Sequence, residues 1–560
     1  MRAAAGSEKG AGAGGSPDTI PALLRAAARR HGPADAVVEG RTRISYAELG
    51  RRVERAAAGC LAAGVRPGDR VAVWAPNTAD WIVCALGAVT AGGVLVPVNT
   101  RFKGVEAAYA LHRTRVTVLF VTGSFLGTSY VAALRRAAAS GPGRGGPLPG
   151  LPHLRHAVVL PGSGGPGAAA TSDTGVDADV PQGFRGWREF LAAGESIPSS
   201  AVWAGAEAIR PHDPSDITFT SGTTGHPKGV VVSHAQTLRV YDTWSELAGL
   251  RTGDRYLIVN PFFHSFGYKA GVIACLTRGA VMVPQSVFSV DAALAAIAAE
   301  RISVLPGPPT LLQSLLDHPG RAAHDLSTLR LVVTGASVVP LELVERLRTE
   351  LRVPTVLTAY GLTEASGTVT MCRRGDPDPT VARTSGRAIP GTEVMVVSAD
   401  GNPLPPGAPG EVLVRGYHVM SGYFEDEAAT ARAVTPDGWL RTGDVGVLDE
   451  AGNLRITDRI KDMFVVGGFN AYPAEIERLL GRHPDLMDVA VVGVPDPRLG
   501  EVGKAYAVRR PGSRLTADDL IAWARREMAN YKVPRRVSFV AELPRNANGK
   551  VLKAELRARG

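Results

Sequence analysis

Along most of the chain, amphipathic helical stretches alternate with short apolar runs, and this alternation restricts the possible folds more than any other feature. "SYAELGRRVERAAAGCLAAG", from Ser45 to Gly64, is soon followed by "DRVAVWAP", from Asp69 to Pro76. Such a pattern predicts sheets covered by helices, the α/β class. With 560 residues, a large core and more than one domain are expected. The stretch Trp81 to Thr100 contains no charged residue, and its length alone would allow a membrane span. Its "TAGG" break, followed by "VLVPVN", instead predicts a core helix and then a buried strand, and no transmembrane segment.

Composition narrows the function only slightly. Hydrophobic residues make up 45% and charged residues 21%, as in ordinary globular proteins. A net charge of +9 suits anionic ligands, but over this length it is weak support for a nucleic-acid partner, and none is expected. Cys60, Cys84, Cys275 and Cys372 stand far apart, without a CxxC pair or a histidine cluster. Neither a disulfide framework nor a zinc site is indicated, and a reducing cytoplasm fits best.

Composition also marks the boundaries. Residues 1–16 lack an apolar core and read as a disordered leader. From about 137 to 182 the chain turns Gly/Pro-rich around "HLRHAVVLP", which reads as a surface insertion with one embedded strand. Near Asp458 a segment of short strands and helices begins that has the size of a small domain. The expected organisation is a large N-terminal domain of mixed sheets and helices over 17–458 and a small α+β domain over 459–560.

"TSGTTGHPKG", Thr220 to Gly229, resembles a Walker loop but departs from it, because Pro227 precedes Lys228 and Gly229 follows it. "DITFT" before the loop and "VVVSH" after it are both strand-like, so the loop joins two strands instead of opening a helix. Ser233 is a good N-cap for the helix that follows. Phosphate would be held by backbone N–H groups at Gly222, Gly225 and Gly229, by the hydroxyls of Thr220, Ser221, Thr223 and Thr224, and by the Lys228 charge. Taken alone, the loop is equally readable as a simple turn.

Four further motifs change that balance. "TAYGLTEASG" sets Tyr360, an aromatic face, four residues before Glu364, a carboxylate able to hold Mg²⁺. "GWLRTGD" ends in Asp444, which could accept hydrogen bonds from a ribose diol. "DRIKD" supplies Arg459 and Lys461, and "PRNANGKVLK" presents Lys550. As a set and in this order they resemble the adenylate-forming superfamily of acyl-CoA ligases, luciferases and peptide-synthetase adenylation domains. The resemblance runs from about Pro17 to the end, apart from the Gly/Pro-rich insertion.

The resemblance implies a mobile C-terminal lid and a two-step reaction with ATP, Mg²⁺ and coenzyme A. A carboxylic acid and ATP give acyl-AMP and pyrophosphate, and a thiol then displaces AMP. Residues Thr220 to Lys228 would cradle the β- and γ-phosphates, and Glu364 would be the metal ligand. Thr363 would touch the α-phosphate. Tyr360 and Gly361 would face adenine against Gly335 and Ala336, and Asp444 and Arg459 would hold the ribose. Lys550 would bridge the carboxylate and the α-phosphate, Lys461 would be the hinge, and Gly467 and Gly468 would leave room for a pantetheine arm.

The acid pocket is expected around "NPFFHSFGYKAG", with His264 as a gate and Phe266, Ser337, Ala365, Ser366 and Gly367 as walls. Lys269 either pairs with a surface carboxylate or reaches the pocket to meet an oxygen on a cyclic acid. Several stretches look most like actinobacterial ligases acting on the propanoate side chain of partly degraded steroid rings, which suggests a fatty or bulky cyclic carboxylic acid. An enzyme that adenylates an acid and loads a carrier protein shares every motif named and is the alternative. An inactive nucleotide-binding relative should have lost Lys550 or Glu364, and both are present.

Overall fold

The computed structural model describes residues 17–139, 147–161, 180–220, 227–335, 339–459, 462–466, 469–528, 530–546 and 551–559. The leader and the two most Gly-rich parts of the insertion lie outside these residues. Two large sheets form the body. One has eight strands in the order Gly422–Tyr423, Lys228–Ser233, Pro214–Thr220, Val94–Pro97, Arg70–Trp74, Val116–Thr122, His156–Leu160 and Arg185–Gly186. The other has nine and carries Leu331–Gly335 beside Thr355–Tyr360 near one edge. The central strands of both sheets run parallel. Val94–Pro97 and Val116–Thr122 are buried throughout, as parallel strands covered on both faces must be.

The charge-free stretch becomes the helix Ala79–Thr90 and the strand Val94–Pro97. Every residue of that helix except Asp80 is buried. Its core cluster joins Val71, Leu95 and Phe120 of the eight-stranded sheet to Val37, Ile258 and Val333 of the nine-stranded one. The helix is apolar all round because it fills the layer shared by the two sheets. Among the described residues no helix is long and apolar enough to cross a membrane.

Two smaller sheets follow. Thr392–Val397, Gly410–Gly416, Leu440–Leu448 and Leu454–Arg459 form an antiparallel four-stranded sheet. A five-stranded sheet begins at Phe464 and has its own core around Phe464, Ile476 and Val491. The insertion carries the one strand expected within it, and it also buries residues that a surface segment would leave exposed. His156–Leu160 pairs in parallel with Val116–Thr122, and Leu148, Leu151 and Leu154 are buried beside Leu119. These leucines cover one face of the sheet, so the described part of the insertion contributes to the core.

Candidate active site

The strand Pro214–Thr220 and the strand Lys228–Ser233 are antiparallel, with Thr220 opposite Lys228. The loop between them therefore starts and ends at one point on the sheet, as its β-branched flanks predict. Ser221, Gly222, Thr223, Thr224 and Gly225 lie outside the described residues. Beyond Lys228, Ser233 caps the helix His234–Ala248 in a reciprocal box with Gln236.

Glu364 sits in a 3₁₀ turn, Thr363–Ala365, just after the strand Thr355–Tyr360. Its Oε1 accepts hydrogen bonds from the Thr220 hydroxyl at 3.3 Å and the Tyr423 hydroxyl at 3.1 Å. Residues 144 positions apart thus meet at the mouth of the loop. Tyr423, on the strand that pairs with Lys228–Ser233, was not among the expected site residues. Its ring lies 5.0 Å from the Lys228 ammonium. The only local signal was the dipeptide Gly422-Tyr423 in "SGYFEDEAAT", which resembles any edge strand. Burial, reinforced by the Glu364 charge, pushes the Tyr423 phenol above its ordinary pKa, so it stays protonated and donates.

Tyr360 and Asp444 also converge. The tyrosine hydroxyl donates to Asp444 Oδ2 at 2.6 Å, and Asp444 is only 3% exposed. Asp444 stands opposite Arg459 in the ladder of the four-stranded sheet. A Cβ on Gly335, at φ +155°, would lie 2.5 Å from the Ala359 carbonyl, so no larger residue fits beside the Tyr360 strand. Gly361 lies against the Gly367 carbonyl with no room for a side chain. Ala336, Ser337, Lys461, Gly467, Gly468 and Lys550 lie outside the described residues, as does the side chain of Arg459.

Near the expected acid pocket, His264 accepts the Phe266 N–H on Nδ1 at 3.2 Å. Burial pushes its pKa down to about 4, so it is neutral at neutral pH with its proton on Nε2. His264 therefore offers a donor. Phe266 is half-buried at the margin of the main core. Ser366, at φ 55°, is buried and donates to the His418 carbonyl, while Ala365 packs with Val230 and Val232. Gly367, at φ +99°, lies against the Tyr241 hydroxyl and Ser265, where a side chain would collide.

Lys269 pairs with a carboxylate, as one of the two expectations had it, but with a buried one and not one at the surface. It lies in a π-helical segment, Tyr268–Ile273, and its Nζ is 3.0 Å from Asp216 Oδ1. Lys269 is 2% exposed and Asp216 is fully buried. The sequence could not reveal this pairing because Asp216 sits within a strand-like run, with no pattern linking it to position 269.

Comparison with known proteins identifies the family. The model for "AMP-binding enzyme" matches residues 24–424, and that for "AMP-binding enzyme C-terminal domain" matches 475–550. The chain belongs to the AMP-binding enzyme family. It is similar to "3-[(3aS,4S,7aS)-7a-methyl-1,5-dioxo-octahydro-1H-inden-4-yl]propanoyl:CoA ligase" of Rhodococcus jostii, with 48% identity covering 97% of this chain and 98% of the relative. The Mycobacterium tuberculosis protein of the same name is also 48% identical, over 97% of this chain and 99% of the relative. Among solved structures, ATP-bound MatB from Rhodopseudomonas palustris superimposes with a TM-score of 0.79 at 26% identity, covering 97% of this chain and 98% of that one.

This AMP-binding enzyme is an ATP-dependent acyl-CoA ligase that uses a carboxylic acid, ATP and coenzyme A, and the carrier-protein alternative gives way to that reading. The residues present fit Mg²⁺. Glu364 and Thr220 offer hard oxygen donors, and among the described residues Glu364 Oε2 receives no hydrogen bond. One carboxylate completed by phosphate oxygens and water is an ordinary Mg²⁺-nucleotide arrangement.

Proposed function

We propose that this ligase activates a propanoate carried on an oxygenated fused-ring skeleton. The observation that carries this reading is 48% identity, over nearly the whole chain, to two ligases named for a methyl-dioxo-octahydroindenyl propanoyl group. In the first half-reaction, a carboxylate oxygen bonds to the α-phosphorus while the bond to the bridging oxygen breaks and pyrophosphate leaves. Positioning and charge stabilisation dominate this type of transfer, and the acid is its own nucleophile.

The chain's residues divide that work. Thr220 to Lys228 hold the β- and γ-phosphates, Thr363 meets the α-phosphate, and Tyr360, Gly361, Gly335 and Ala336 frame adenine. Asp444 and Arg459 hold the ribose, a role supported by their facing positions in one ladder. Glu364 holds Mg²⁺, which when bound offsets phosphate charge. Lys550 lies between the two anions as they meet. His264 donates through Nε2 to an oxygen of the acid, since its Nδ1 is engaged by Phe266. Phe266, Ser337, Ala365, Ser366 and Gly367 form walls of the acid site.

In the second half-reaction the thiol gives up its proton, its sulfur bonds to the acyl carbon, and the bond from that carbon to the AMP oxygen breaks so that AMP leaves. Lys461 is the hinge, between the strand ending at Arg459 and the sheet beginning at Phe464, and Gly467 and Gly468 pass the pantetheine arm. All four cysteines are buried free thiols, which supports a cytoplasmic setting.

The test is CoA-dependent AMP release from a dioxo-octahydroindenyl propanoate, an aromatic acid and a medium-chain fatty acid. The bicyclic acid should lead in kcat/KM by at least ~10-fold. A preference for the fatty acid would refute the substrate while leaving the reaction class intact.

A further inference from the structure

The phosphate loop ends in a cation, Lys228, and the residue expected to hold metal, Glu364, is an anion at the mouth of the same loop. Opposite charges in a half-buried pocket tend to pair, and a closed pair would remove the cation from phosphate and the carboxylate from metal. Among the described residues no ion pair joins them. Tyr423 meets both instead. Its hydroxyl donates to Glu364 Oε1 at 3.1 Å and its ring lies 5.0 Å from Lys228 Nζ.

The backbone holds this tyrosine firmly. Tyr423 is opposite Val230, two residues beyond Lys228, in an antiparallel ladder. Its N–H donates to Thr430 Oγ1 at 2.9 Å, and the Phe424 N–H donates to the Gly229 carbonyl at 2.7 Å. The ring is therefore carried on the partner strand of the loop's own outgoing strand and moves with it.

We propose that Tyr423 is a positioning residue that keeps Lys228 and Glu364 from neutralising each other. The aromatic face satisfies the ammonium without cancelling its charge. The hydroxyl orients the carboxylate through Oε1 and leaves Oε2 for a cation. The inference rests on the proposed roles of Lys228 and Glu364 in binding MgATP.

Calorimetric titration with ATP in EDTA, together with Mn²⁺ binding followed by electron paramagnetic resonance at saturating ATP, tests it. Tyr423→Ala should weaken metal-free ATP binding about tenfold, the scale of a half-buried ion pair competing with a ligand. Adding Glu364→Gln to that variant should restore the loss, so that Glu364→Gln raises metal-free ATP affinity about tenfold more in the alanine background than in the parent. Tyr423→Phe keeps the ring and loses only the hydroxyl. It should bind metal-free ATP within about twofold of the parent but bind Mn²⁺ about tenfold more weakly. A general packing role would not be relieved by Glu364→Gln, so equal effects of that substitution in both backgrounds would overturn the proposal. So would unchanged Mn²⁺ binding by Tyr423→Phe. If the parent protein binds no ATP with or without Mn²⁺, the phosphate-site reading itself falls, and this inference with it.

Discussion

Replacing Lys269 with methionine separates two roles for this residue. The parent pair is 3.0 Å apart, with Lys269 2% exposed and Asp216 fully buried. Methionine fills a similar volume, so little of the effect should come from a cavity. What remains is a buried carboxylate that has lost its cation. Removing one partner of such a pair costs about 3 to 5 kcal/mol. Asp216 keeps the Ser215 hydroxyl at 2.8 Å and the Thr218 hydroxyl at 3.2 Å, which places the expected loss near the lower end, about 3 kcal/mol. Denaturant unfolding of the ligand-free protein, followed at its first transition, reads this loss. Adding Asp216→Asn removes the stranded charge, keeps an amide oxygen for the Thr218 hydroxyl and leaves the Ser215 hydroxyl the Val232 carbonyl at 3.1 Å, and should recover more than half of it. Asp216 lies four residues before Thr220 on the phosphate-loop strand, and Lys269 five residues after His264. The pair thus ties the phosphate strand to the segment expected to line the acid site. Lys269→Met should lower kcat/KM for bicyclic and straight-chain acids alike, within about twofold of each other. A loss below about 0.5 kcal/mol, or additive single-site effects, would refute the ion-pair reasoning. Opposite responses of the two acids would return Lys269 to a specificity role.

On the proposed role of Lys550 between the two anions, Lys550→Ala should remove one transition-state charge contact and reduce adenylate formation more than about a hundredfold, yet leave thioester formation from pre-made acyl-AMP largely intact. Separate assays of the two half-reactions check this, and equal losses would count against a lysine that serves only the first. Burial, with the Asp80 charge adding to it against the Ala79 N–H bond, pushes the Glu39 carboxyl up to about 7. A raised carboxyl pKa means the native state binds the extra proton, so stability falls as pH rises from about 4.5 to 7. Glu39→Gln should therefore raise Tm near pH 8 and change it little near pH 4.5, with a ceiling on the order of 3 kcal/mol. Equal Tm changes at both pH values would exclude this titration. The Tyr268 hydroxyl is buried and has no hydrogen-bond partner among the described residues. Tyr268→Phe should stabilise the protein by about 1 kcal/mol, and a clear fall in Tm would mean that a partner is present.

The sequence was sufficient wherever the determining interaction is local. Glycine, proline and β-branched residues around "TSGTTGHPKG" specify a loop between two strands, because backbone preference acts over a few residues. The break at "TAGG" separates a core helix from a buried strand for the same reason. The motif set identified the reaction class, since each motif is contiguous. The tertiary structure decided what depends on residues far apart in the chain. It brought Thr220 to Glu364, Tyr360 to Asp444 and Lys269 to Asp216, and it placed the unexpected Tyr423 between the loop lysine and the carboxylate. It also drew Leu148, Leu151 and Leu154 of the insertion into the core, although the glycine-rich segments around them suggested a surface excursion. A leucine, a tyrosine or a buried aspartate has no spacing rule that names its partner. That partner is chosen only when sheets and helices pack, because burial makes an unpaired charge or hydroxyl costly and so selects the arrangement that satisfies it.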